Sequence, residues 1–167
     1  MTVENASDLA AKKTRTDRKS DRELIVTRTV NAPARVVFDA WTKPELFSRW
    51  WVPRSCGMRL SACEMDVKVG GKYRLVFEKD GKTVFEAFGV YTTVEAPTRL
   101  VWTDGEKGAA ADQAFTSVTF TEKNGKTEVV LLQLFPSKEA LDEEITSMEP
   151  GTIEQLDQLA EFVTTLG

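Results

Sequence analysis

The sequence predicts an α+β fold in which a curved antiparallel sheet grips a long C-terminal helix. Three observations carry this. Ile145, Met148, Thr152, Leu156, Leu159, Val163 and Leu166 follow one another at steps of three or four residues, which aligns them on one face of a helix. Between residues 22 and 135 most of the chain divides into short runs rich in β-branched and aromatic residues, closed by turn signals, and strands joined by tight turns make an antiparallel sheet. Two short helical segments fall after the first strand, where they close one end of the sheet.

In order, residues 1–20 are polar and lack aromatics, and they read as a disordered tail, with a weak helix over 6–13 as the alternative. One domain is expected from 21 to 167. Residues 23–30 form the first strand. Asn31-Ala32-Pro33 ends it, and Pro33 suits the first turn of a helix over 34–41. Thr42-Lys43-Pro44 breaks that helix and opens a second to Trp50. Residues 55–60 read as irregular. Strands follow at 61–65, 72–79, 83–94, 99–103, 114–122 and 126–135. Asp80-Gly81 and Asn124-Gly125 mark hairpin turns that need positive φ. Gly89, inside a strand, suggests a bend or bulge. Residues 104–112 form a Gly/Ala-rich loop. Pro150-Gly151 splits the C-terminal region into a short helix over 138–147 and a longer one from about Pro150.

Composition removes several classes of function. The chain of 167 residues has a net charge of −4, which leaves no electrostatic footprint for nucleic acid. No apolar run approaches the ~20 residues of a membrane span. No apolar signal segment opens the sequence, and the two cysteines, Cys56 and Cys63, read as free thiols of a reducing compartment, so the cytoplasm is expected. With no histidine at all, His-based acid/base and nucleophilic chemistry is absent and no zinc set can be assembled. Gly70-Gly71 lacks the strand and helix context of a phosphate loop, so no cofactor is expected. Charge is uneven: residues 1–22 carry six Lys/Arg against four Asp/Glu, and residues 137–167 one against eight. The acidic helix faces, with Glu154, Gln155, Asp157, Gln158 and Glu161, read as solvated surface, a docking face for a basic partner being the alternative.

The run Val30-Asn31-Ala32-Pro33-Ala34-Arg35-Val36-Val37-Phe38-Asp39-Ala40-Trp41-Thr42-Lys43-Pro44-Glu45 resembles the opening motif of proteins related to the activator of Hsp90 ATPase (AHSA1-like). Arg49-Trp50-Trp51-Val52-Pro53, Asp66 with Gly70-Gly71-Lys72-Tyr73, Gly89-Val90-Tyr91, Ala96-Pro97-Thr98-Arg99-Leu100-Val101-Trp102, and Gly151 before Leu156 and Leu159 continue it in register. The resemblance covers about residues 22–166. It implies the helix-grip fold of the START/Bet v 1-like (SRPBCC) superfamily, with a cavity between sheet and C-terminal helix that often takes hydrophobic ligands. One departure stands out. The family usually has Gly-Trp at the start of the final helix, where this chain has Gly151-Thr152, a change that either enlarges the cavity or is filled by neighbours. Many relatives carry His where Gln133 stands.

On that fold the candidate cavity wall is Phe38, Trp41, Trp50, Trp51, Tyr73, Leu75, Phe77, Tyr91, Trp102, Thr152, Leu156 and Leu159, with ordinary core as the competing role for each. Trp50 and Trp51 either plug the end of the sheet or offer indole N–H groups to a ligand. Asp66 is expected to hydrogen-bond the following turn, and Glu86 to face solvent. The function expected is a non-enzymatic binding protein for a small hydrophobic ligand. The alternatives are a partner-binding module that regulates a chaperone, and a cyclase- or hydratase-type enzyme working through carboxylates or Tyr.

Overall fold

The computed structural model describes residues 14–104, 114–147 and 149–166. The weak helix over 6–13, most of the loop at 104–112, and Met148 lie outside these. Eight strands form one antiparallel sheet: β1 (Arg15–Arg18), β2 (Glu23–Val30), β3 (Arg59–Met65), β4 (Lys72–Lys79), β5 (Lys82–Glu95), β6 (Arg99–Asp104), β7 (Phe115–Lys123) and β8 (Lys126–Leu134). Their order is β1-β2-β8-β7-β6-β5-β4-β3. Helices α1 (Ala34–Thr42) and α2 (Pro44–Phe47) follow β2, and α3 (Lys138–Ser147) and α4 (Glu149–Val163) close the chain.

Seven of these strands match the expected runs to within a few residues. β1 is the difference: its four residues fall in the expected disordered tail and pair with β2 from Arg15 opposite Thr27 to Arg18 opposite Leu24. The sequence concealed it because RTDR has no alternating apolar face; its stability comes from a neighbour already in place. The supposedly irregular stretch before β3 contains a 3₁₀ turn, Arg54–Cys56, and β3 begins at Arg59.

Topology places the helices. β3 to β8 form a meander, and β2 adds beside β8, so β2 and β3 lie far apart in the sheet. The β2–β3 connection must therefore cross one face, and it does so as α1, α2 and the segment after them. α1 touches β7, β8 and α4, while α2 touches β3. Both hairpin turns have the expected geometry, with φ of 54° and 79° at Asp80-Gly81 and 56° and 77° at Asn124-Gly125, the left-handed pairs that match strand twist.

α4 packs on β2 and α1, burying Leu156, Leu159 and Val163. The sheet meets it with an apolar row of opposed residues, Val26, Leu131, Val118 and Leu100, all buried. The helix therefore covers the β2 side of the inner face and leaves the β4–β6 side to be roofed by α1, α2 and the loop after them.

Candidate functional site

Between that uncovered part of the sheet and its roof lies a cavity of about 740 Å³. Register explains its floor. One step along the strands from the apolar row, Leu24, Gln133, Thr116, Trp102 and Tyr91 stand opposite one another across β2, β8, β7, β6 and β5. Opposed residues share a face, so this row also faces inward, and its last four members line the cavity. Each has an apolar body with a polar group attached. On β4, Tyr73 and Leu75 face Gly89 and Ala87 of β5, large against small, which leaves open space above β5.

Gly89 carries no positive φ; what requires glycine is proximity. A Cβ there would sit 1.8 Å from the Thr103 carbonyl oxygen and 2.7 Å from the Tyr73 hydroxyl. The Tyr73 O–H lies across this position and donates to the Thr103 carbonyl at 3.4 Å. The bulge expected at Gly89 falls instead between Tyr91 and Thr93.

Of the candidate wall residues, the structure brings together Trp41, Trp51, Tyr73, Leu75, Phe77, Tyr91, Trp102 and Thr152 around the cavity. Phe38, Trp50, Leu156 and Leu159 do not line it. Phe38 packs edge-on against Phe120 at 5.6 Å, and the two leucines join the buried core. The paired tryptophans divide the two expected roles. Trp50 is fully buried and donates its indole N–H to the Ala40 carbonyl at 2.9 Å. Trp51 stacks on Phe47 at 4.7 Å and lines the cavity. Trp41 is the hub, with ring contacts to Phe47, Trp50, Trp51, Trp102 and Phe120.

Sequence reading missed Phe47, Cys56, Met58, Met65, Phe85, Thr116, Gln133 and Gln155 as lining residues. For Gln133 a signal existed: it is a single polar residue in the alternating inner set Val129, Leu131, Gln133 of an apolar strand. Two side-chain atoms of lining residues, Trp41 Nε1 and Gln133 Oε1, are buried away from the cavity surface and have no hydrogen-bond partner. Glu144 is the one charged side chain among the described lining residues. Burial pushes the Tyr91 phenol well above its ordinary value, with Cys63 a smaller contribution, so it stands as a neutral O–H.

The polar side of α4 is also less solvated than expected. Gln158 is 5% exposed and bonds the carbonyls of Trp50 and Val52 at 2.8 and 2.9 Å and the Arg54 N–H at 2.8 Å. Gln155 donates to the Trp51 carbonyl at 2.6 Å. Glu154 accepts from the Ser55 hydroxyl and N–H, which hold its carboxyl below the usual range. Asp157 takes Arg28 and the Thr14 hydroxyl, both at 2.8 Å, and Asp142 of α3 takes Arg18 at 2.6 Å. Part of the acidic surface is thus met by the chain's own basic N-terminal strands.

A second cleft of similar volume lies on the outer face of β3–β5. There Arg74 pairs with Glu86 at 2.7 Å and Glu64 at 3.4 Å, so its charges are matched internally, and Glu86 faces outward as expected. The Asp66 carboxylate pairs with Lys68 at 3.5 Å; it is the Asp66 backbone carbonyl that takes the turn N–H of Lys68 at 2.9 Å, which corrects the expected side-chain role. Among the described residues no group of three His, Cys, Asp or Glu could hold a metal ion, and no helix is long and apolar enough to cross a membrane.

A sheet that closes on a C-terminal helix over an internal cavity defines a helix-grip protein. Within that class, residues 31–164 match the family described as activator of Hsp90 ATPase homolog 1-like protein, and the chain belongs to it. Similar solved structures include a Rhodobacter sphaeroides protein (22% identity, TM-score 0.82, covering 93% of this chain and 100% of the other). An AHSA1-like protein from Aeromonas hydrophila is similar as well (24% identity, TM-score 0.67, covering 86% and 94%). So is a Staphylococcus epidermidis protein (27% identity, TM-score 0.74, covering 90% and 94%). No curated protein matches.

Proposed function

We propose that this chain is a non-enzymatic binding protein that holds a small hydrophobic ligand between the β4–β6 side of the sheet and its roof. The observation that carries this is the cavity of about 740 Å³, whose wall includes eight aromatic side chains: Trp41, Phe47, Trp51, Tyr73, Phe77, Phe85, Tyr91 and Trp102. Its size falls in the ~300–1,000 Å³ range of small-molecule sites, which are mainly apolar with a few placed polar groups. The rim includes Phe85, 59% exposed, an apolar ring that a bound molecule would help to cover. Two free thiols fit a reducing compartment, and we place the protein in the cytoplasm.

The test is thermal unfolding against lipids and aromatic compounds, with native mass spectrometry of the purified protein. A ligand at about 100 times its Kd adds ~2.7 kcal/mol, a rise of about 5–10 °C for a domain of this size. No bound mass and no shift with any compound overturns the reading. The family description supplies a competing one, regulation of a chaperone. Stimulation of an Hsp90-type ATPase by ligand-free protein would favour it.

A further inference from the structure

We propose that the ligand is an anionic amphiphile, with its apolar body in the cavity and its negative head at the β4–β5 hairpin, held by Lys79 and Lys82. This rests on the cavity being a ligand site. Tyr73, Leu75 and Phe77 of β4 line the cavity, and the bulge beside Phe77 puts its extra residue, Val84, on β5. The alternation of β4 is therefore unbroken, and Lys79 is the next residue on the same face. Its register partner is Lys82. Opposed residues share a face, and like charges placed so repel. The inner side of the hairpin thus carries an aromatic pair, Phe77 opposite Phe85 with ring centroids 5.6 Å apart, and beyond it a pair of cations.

Lys79 also reaches the roof. Its Cε and Nζ lie 3.6 and 3.9 Å from the place a Cβ would take at Gly57, and the residues on either side of Gly57, Cys56 and Met58, line the cavity. Among the lining residues the exposed ones are Ser55 of the roof and Phe85 of the hairpin. The cavity therefore meets solvent where roof and hairpin approach, and Lys79 stands at that edge. The neighbouring carboxylates are engaged elsewhere. Glu78 takes Arg59 at 2.6 Å, and Glu154 takes the Ser55 hydroxyl and N–H. Among the described residues no carboxylate, the turn residue Asp80 included, forms an ion pair with Lys79 or Lys82. An anion seated here offsets the repulsion between the two ammonium groups, and its apolar body covers Phe85 as it enters. A cationic head meets two like charges instead.

Three probes of one chain length separate the outcomes: decanoate, 1-decanol and decyltrimethylammonium, each titrated by calorimetry into the full chain and into its Lys79→Gln/Lys82→Gln variant. The variant is expected to bind decanoate about three- to ten-fold more weakly, decanol equally well, and the ammonium more tightly. Both lysines are exposed, and removing two opposed like charges should leave the ligand-free melting temperature level or higher. A second measurement needs no variant: in the wild type, raising salt from about 0.05 to about 0.5 M weakens decanoate and leaves decanol unchanged. If decanol binds and decanoate is indifferent to both the substitutions and salt, the head assignment falls and the cavity reading stands. A wild type that prefers the ammonium to decanoate overturns the selection for an anion. If none of the three binds, both readings fall.

Discussion

Cys63 shows how far one residue's chemistry follows from its surroundings. Its Sγ lies 3.8 Å from the Pro44 carbonyl oxygen and 3.7 Å from the Met65 sulfur, and the Glu45 carboxylate disfavours a thiolate there. Burial, with a smaller contribution from Glu45, pushes the thiol from 9.0 up to about 11. A raised native value means the folded chain holds this proton more tightly than the unfolded one. The contribution to stability is then fully present below pH 9 and is lost as pH rises towards about 11. Two outcomes are expected. Iodoacetamide at pH 8, followed by mass mapping, labels Cys63 only slowly, because the thiolate is the reactive form. The stability difference between wild type and Cys63→Ala narrows between pH 9 and 11 in urea titrations. Rapid labelling of Cys63 at pH 8 in the folded chain contradicts this.

At the scale of elements, α4 holds the loop after α2 as well as the sheet. Gln158 serves the Trp50 and Val52 carbonyls and the Arg54 N–H, and Gln155 serves Trp51 alone. Gln158→Leu strands three backbone groups at a buried position. It should cost about 3 kcal/mol, against about 1 kcal/mol for Gln155→Leu, both read from urea midpoints; equal costs would mean the loop is held some other way. This clamp was hidden in the sequence because helical periodicity separates apolar from polar faces and says nothing about what a polar face meets. Gln158 and Glu154 looked like solvent-facing residues, yet they serve a loop about a hundred positions away. The strands and hairpins, by contrast, were legible, since alternation and the Asp80-Gly81 and Asn124-Gly125 pairs act over a few residues. The adjacent Trp50 and Trp51 fall between these cases. Their composition marked the site, but only the direction in which α2 ends decides which is core and which is wall.

The whole molecule leaves a cavity because one helix cannot cover eight strands. Leu156, Leu159 and Val163 settle on the β2 side, and the inner residues of β4 to β6 face space that α4 reaches only through its first turns, at Gly151, Thr152 and Gln155. The site was legible as a set of aromatic residues but not as a boundary between filled and empty, since that boundary lies between two rows of one sheet and depends on register. Thr152 tests the boundary directly. It is buried and lines the cavity, at the position where the family resemblance places Trp. Thr and Trp have similar helix propensities, so Thr152→Trp should fold, with the indole taking space now open. Burying that added apolar surface stabilises the chain by about 1–2 kcal/mol, while ligands of the proposed class lose their thermal shift. Thr152→Ala opens the same end further and keeps the shift. The pair is read by circular dichroism and thermal unfolding with and without an aromatic compound that shifts the wild type. A Thr152→Trp variant that is folded and still shows the full ligand shift would place the bound molecule away from the helix, against the β4–β5 hairpin, and the role of α4 as part of the wall would be lost.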